Sequence, residues 1–91
     1  SVVPVNAGSF NVAATATNTN TAMAVSSYKR IYNAGPNIVH IRIGASAQTA
    51  TTTDFSIDPG TAVNIASGAN NNIAMICAAT ETAAVTVSSF N

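Results

Sequence analysis

Tyr28-Lys29-Arg30-Ile31-Tyr32-Asn33-Ala34-Gly35-Pro36-Asn37-Ile38-Val39-His40-Ile41-Arg42-Ile43 reads as two short strands around a turn. Val39, Ile41 and Ile43 alternate with polar residues at the period-two spacing of a half-buried strand. Asn33-Ala-Gly-Pro-Asn37 carries the residues that turns favour. If strands 28–32 and 38–43 pair as a hairpin, with Tyr32 near Ile38, one face holds Ile31, Val39, Ile41, Ile43 and the stem of Lys29. The opposite face then holds Tyr28, Arg30, Tyr32, Ile38, His40 and Arg42, at distances where aromatic and cationic groups interact. All three Lys and Arg residues of the chain, and its one His, fall within this stretch.

Outside it the chain is almost uncharged. Charged residues make up 7% of the 91 residues and net charge is zero, against roughly 25% charged in an ordinary soluble domain. No sequence-independent pull toward nucleic acid or an anionic membrane is expected. A neutral surface of Thr, Asn and Ser resists self-association poorly, so an oligomer or assembly component is expected rather than a free monomer. Apolar residues are 47% of the chain, without Leu or Trp. Val, Ile, Thr, Phe and Tyr suit a pleated surface, whereas a helical core lacking Leu loses a leading helix former.

The rest of the chain repeats this pattern. Residues 1–9, with Pro4 and Gly8, read as an extended N-terminal arm or edge strand. Phe10, Val12, Ala14 and Ala16 lie on one parity, Met23 and Val25 on the other, so Asn18-Thr19-Asn20 is expected to be the turn or bulge that resets the alternation. Residues 44–53 read as a surface loop. Asp58-Pro59-Gly60 has Pro and Gly where a type II turn wants them, and it precedes a strand over 61–65 with Val63 and Ile65 inward. Residues 67–72 form a loop. Ile73–Ala79 is apolar on both faces, Glu81 sits in a turn, and Ala84–Phe90 alternates again. The expected fold is all-β: one small antiparallel β-sandwich or barrel over residues 1–91, jelly-roll-like or Ig-like, with about eight short strands.

No catalytic constellation is visible. His40 has no His or Cys partner and two arginines beside it, so neither metal binding nor general-base chemistry is expected. Asp54 and Asp58 fall short of the six to eight oxygens calcium takes; Asp58 is expected to cap its turn and Asp54 to pair with a cation. Lys29, Arg30 and Arg42 are expected to meet Asp54, Asp58 or Glu81, within the subunit or across an interface. Cys77 reads as a buried thiol acting as a small hydrophobe. No cofactor and no membrane-spanning segment is expected.

The succession Arg30-Ile-Tyr-Asn-Ala-Gly-Pro-Asn-Ile-Val-His-Ile-Arg-Ile-Gly44, then Ala50-Thr-Thr-Thr-Asp-Phe-Ser-Ile-Asp-Pro-Gly60, Ile73-Ala-Met-Ile-Cys-Ala-Ala79 and Ala84-Val-Thr-Val87 resembles small virion structural proteins of tailed phages. The resemblance covers roughly residues 28–88; residues 1–27 depart from it. It implies a head decoration (cement) protein without enzymatic activity, commonly a homotrimer. Its partner would be the major capsid protein and its place the capsid surface of the virion. Asn33, Gly35, Arg42, Gly44, Pro59 and Gly60 take structural roles under this resemblance. The candidate interface is the face Tyr28, Arg30, Tyr32, His40 and Arg42. A different class, a carbohydrate- or receptor-binding module of a phage tail or fibre, would use the same face as a binding platform. An enzyme is the third reading.

Overall fold

Alternating apolar residues make eight strands in the chain's computed structural model, which describes residues 2–91. They are β1 (Pro4–Ala14), β2 (Thr19–Ala22), β3 (Tyr28–Pro36), β4 (Val39–Gly44), β5 (Phe55–Ile57), β6 (Thr61–Ala66), β7 (Asn72–Ile76) and β8 (Ala83–Phe90). Two four-stranded antiparallel sheets face each other, with orders β1-β8-β3-β6 and β2-β7-β4-β5. The pairs β1·β8, β2·β7, β3·β6 and β4·β5 are those of one long folded-over hairpin. Rolling that hairpin, so that successive pairs fall alternately in the two sheets, adds β3·β8 and β4·β7. That is a jelly roll, the first of the two topologies the sequence left open.

Side-chain parity follows the alternation throughout. Ile31 points inward from the first sheet beside Val85 and Val87, and Val39, Ile41, Ile57, Ile73 and Met75 point inward from the second, all buried. Cys77 is buried with them. Burial pushes its thiol up from the ordinary value, with the Glu81 carboxylate adding to the effect, so it stays an unreactive small hydrophobe.

Strand partnership differs from the expected hairpin. β3 and β4 do not pair: β3 lies between β8 and β6, and β4 between β7 and β5. The intervening segment is a corner between sheets. Gly35 takes φ +95° and the Gly35–Pro36 peptide is cis. A Cβ at Gly35 would also sit 3.2 Å from the Pro59 side chain, so only glycine fits both the angle and the approach. Asn33 holds the corner from within. Its fully buried amide donates to the carbonyls of Asn37 (2.8 Å) and Ile57 (2.9 Å) and accepts from the Gly35 N–H (2.8 Å). Its own carbonyl accepts from the Gly60 N–H at 2.7 Å, which joins the corner to the Pro59-Gly60 turn, where Gly60 has φ +81°.

The N-terminal segment is an edge strand from Pro4 onward; Ser1 lies outside the described residues. The parity reset falls at residues 15–18, one step earlier than expected, since Thr19 and Asn20 already belong to β2. Edges are blunted in three different ways. β2 and β5 are only four and three residues long, and β1 carries Pro4 and a register shift between Pro4 and Ser9. β6 has six residues with no charge, proline or register shift, none of the usual protections against edge pairing. Within the β1 bulge Ala7 adopts φ +56°, a conformation costing an L-residue roughly 1–2 kcal/mol. Ala7→Gly is therefore expected to raise unfolding stability by up to about 1 kcal/mol in urea denaturation, the gain being reduced by glycine's greater unfolded-state entropy.

Candidate functional site

The sandwich sends the five candidate interface residues to two opposite surfaces. Tyr28, Arg30 and Tyr32 lie on the outer face of the first sheet, His40 and Arg42 on the outer face of the second. The single aromatic–cationic face expected from the sequence therefore does not form. Parity was legible, but a shared face also requires that the two strands be neighbours, and the corner at Asn33–Asn37 prevents that.

On the second sheet, His40 and Arg42 fasten a loop. His40 Nδ1 donates to the Asp54 carbonyl at 3.1 Å, and Arg42 donates to the Asp54 carboxylate through Nη2 (3.0 Å) and Nε (3.3 Å). The Thr51 N–H donates to the other carboxylate oxygen at 2.7 Å. The Thr51 N–H and the Arg42 guanidinium hold the Asp54 carboxyl below its usual value, so this clamp persists above that lowered value and is released as pH falls through it. The expected pairing of Asp54 with a cation is met by Arg42, the only ion pair among the described residues. Asp58 caps its turn with its backbone carbonyl, which accepts from Thr61 N and Oγ1, rather than with its carboxylate.

Lys29 departs furthest from expectation. Its head as well as its stem is inside the sandwich, with no exposed surface. Nζ donates to Ser26 Oγ and Ser67 Oγ, and desolvation pushes its pKa below the ordinary 10.5. No carboxylate reaches it among the described residues. Across the ladder its register partner is Ser89, whose buried hydroxyl has no hydrogen-bond partner. Ser26 and Ser67, each just outside a strand, were the only hint in the sequence, and nothing in their spacing marks them as neighbours of Lys29.

The first sheet keeps a polar–aromatic surface, with members that sequence reasoning did not assign. Arg30 lies over the Tyr32 ring at 5.4 Å, and Tyr28 stacks on Phe90 with centroids 5.6 Å apart. Register places Ser9, Ser88, Arg30 and Asn64 in one row across all four strands. A groove of ≈ 410 Å³ lies over this row.

One end of the same sheet is apolar. The Val3 and Asn91 backbones exchange two hydrogen bonds of 2.8 Å, and the Asn91 side chain accepts from Ser27 N and Oγ. These bonds gather the β1 start, the β8 end and the segment before β3. Val2, Val3, Val25 and Tyr28, all exposed, are carried on those segments, with Val25 the most exposed at 70%.

No group of three or more His, Cys, Asp or Glu that could hold a metal ion occurs among the described residues. Searches of protein-family models, curated proteins and solved structures gave no match to this chain.

Proposed function

We propose that this chain is a non-enzymatic capsid decoration (cement) protein, which assembles as a homotrimer on the outer surface of a phage head and binds the major capsid protein. The observation that carries this reading is the apolar end formed around Asn91. Four large apolar side chains exposed on segments that Asn91 ties together, on a domain with almost no surface charge, fit a docking surface better than a solvated one. The jelly roll supports the reading by analogy only, since viral capsid domains and lectins share that architecture. The unprotected β6 edge is offered for self-association to a different surface of the next copy, the head-to-tail contact that a ring of three requires.

Attachment would work by burying Val2, Val3, Val25 and Tyr28 against capsid protein. With so few charges, the binding should depend weakly on salt. The decisive experiment is quantitative detection of the chain in purified particles, repeated with Val3→Asp and Val25→Asp. Wild type is expected to copurify with heads and raise their heat resistance. Each Asp variant should melt normally yet lose attachment by about tenfold or more, as befits a charge placed in a desolvated contact. Absence of the wild-type chain from particles, or full attachment of both variants, overturns the proposal.

A further inference from the structure

Among the described residues, Arg30 is the accessible side-chain cation left without a counter-ion. Arg42 is neutralised by Asp54, Lys29 is buried, and Arg42–Asp54 is the only ion pair among the described residues. None of the four strands of the first sheet contains Asp or Glu. The outer face of that sheet therefore carries one cation and no carboxylate from its own strands. The guanidinium lies in the row Ser9–Ser88–Arg30–Asn64, beneath the groove, with Val2, Pro4 and Phe90 as its apolar lining.

We propose that this groove binds a carboxylated saccharide, a segment of a polysaccharide built from uronic-acid-type units. Arg30 would receive the carboxylate, since a guanidinium presents the forked donors a carboxylate accepts in pairs. Ser88, Ser9 and Asn64 supply hydroxyl and amide groups for ring hydroxyls. Ser9 already donates to Ser88 at 3.0 Å, which leaves the Ser88 hydroxyl hydrogen free to donate outward. The Phe90 ring, held by its stack on Tyr28, gives the carbon face of a sugar ring an apolar surface. At ≈ 410 Å³ the groove lies within the range of small-ligand sites.

Backbone geometry favours a saccharide over an acidic peptide. An extended peptide gains affinity by adding to a sheet edge, but this groove crosses the face of the sheet. The N–H and C=O groups of β3 and β8 beneath it are already spent on neighbours at both sides. Recognition there rests on side chains, whose hydroxyl, amide and guanidinium groups match a ring bearing hydroxyls and a carboxylate. The groove adjoins the apolar end, since Val2 lines both and the Phe90 ring rests on Tyr28; Val3 and Val25, where capsid docking is tested, do not line the groove.

The test uses the intact chain and three probes: a galacturonic acid trimer, the same trimer methyl-esterified, and a short poly-glutamate peptide. Binding is followed by NMR titration. The acid trimer is expected to shift Arg30, Ser88, Asn64 and Phe90 saturably. The ester, and the acid trimer against Arg30→Gln, should each bind about tenfold or more weakly, the scale of a lost charge-assisted hydrogen bond. Arg42→Gln, on the opposite face, should bind as wild type does. Absence of saturable shifts up to about 10 mM acid trimer, a concentration that fills a site of Kd ~1 mM to about nine-tenths, overturns the proposal. So does equal affinity for the ester, equal loss with Arg42→Gln, or poly-glutamate binding as tightly as the trimer. Particle attachment by Arg30→Gln separates the two proposals: attachment retained with saccharide binding lost leaves both standing.

Discussion

Asn33→Ala is expected to destabilise the domain by about 3–5 kcal/mol, because it strands the Gly35 N–H and the Ile57 and Asn37 carbonyls together, and each buried group left unpaired costs roughly 1–3 kcal/mol. A domain of this size has little more than that in reserve. The melting temperature should fall by about 15 °C or more, read by circular dichroism. Alanine also leaves a small void at a position with no exposed surface. Asn37→Ala is the control. It removes a single exposed bond to the Thr82 carbonyl and should change stability by less than about 0.5 kcal/mol. An Asn33→Ala variant melting within a few degrees of wild type would mean that the corner is held by something other than its amide.

Lys29→Met should act in the opposite direction. Met matches the unbranched stem and removes an amine that the core desolvates. The hydroxyls it leaves keep partners, since Ser26 Oγ donates to the Tyr28 carbonyl (2.8 Å) and Ser67 Oγ lies 3.5 Å from the Ser26 carbonyl. Replacing buried ion pairs by well-packed apolar side chains is neutral to stabilising, by up to about 4 kcal/mol. For this lone amine, bonded only to two hydroxyls, a gain of about 1–2 kcal/mol is expected at pH 7. The pH dependence gives a second readout. Because the folded-state pKa of Lys29 is below 10.5, the unfolded chain binds more protons between that lowered value and 10.5. Stability contributed by this site therefore rises with pH across that window and is fully regained only above 10.5. Cys77 acts with the opposite sign: its thiol is held above 9.0, so its contribution is lost as pH climbs past that value. Urea midpoints should accordingly be compared in a Cys77→Ala background. There the rise with pH should be present with Lys29 and abolished in Lys29→Met. Parallel pH profiles for the two would show that the amine is solvated in solution.

The physical reason for the misplaced hairpin also explains most of what the sequence left unread. Alternation is a local property: Ile31, Val39 and Ile41 had to share a core, and they do, from opposing sheets. Adjacency is not local. Asn33-Ala-Gly-Pro-Asn37 has the composition of a hairpin turn and of an inter-sheet corner alike, and the choice rests on Asn33 reaching Ile57, twenty-four residues onward. The groove was legible only at Arg30, for the same reason. The sequence displays the outward parity that Arg30 shares with Tyr28 and Tyr32, whereas Ser9, Asn64, Ser88 and Phe90 join Arg30 in the groove only through the pairing of β1, β8, β3 and β6.

By itself, then, the sequence determined the all-β class, the inward and outward side of most strand residues, the Pro59-Gly60 turn and the scarcity of charge, because each depends on residue type and near-neighbour spacing. Only the tertiary structure decided the jelly-roll order, the division of the cationic stretch between two opposite surfaces, the burial of Lys29 and the isolation of Arg30. Those depend on contacts between residues far apart in the chain, where one buried amide can select a corner over a hairpin.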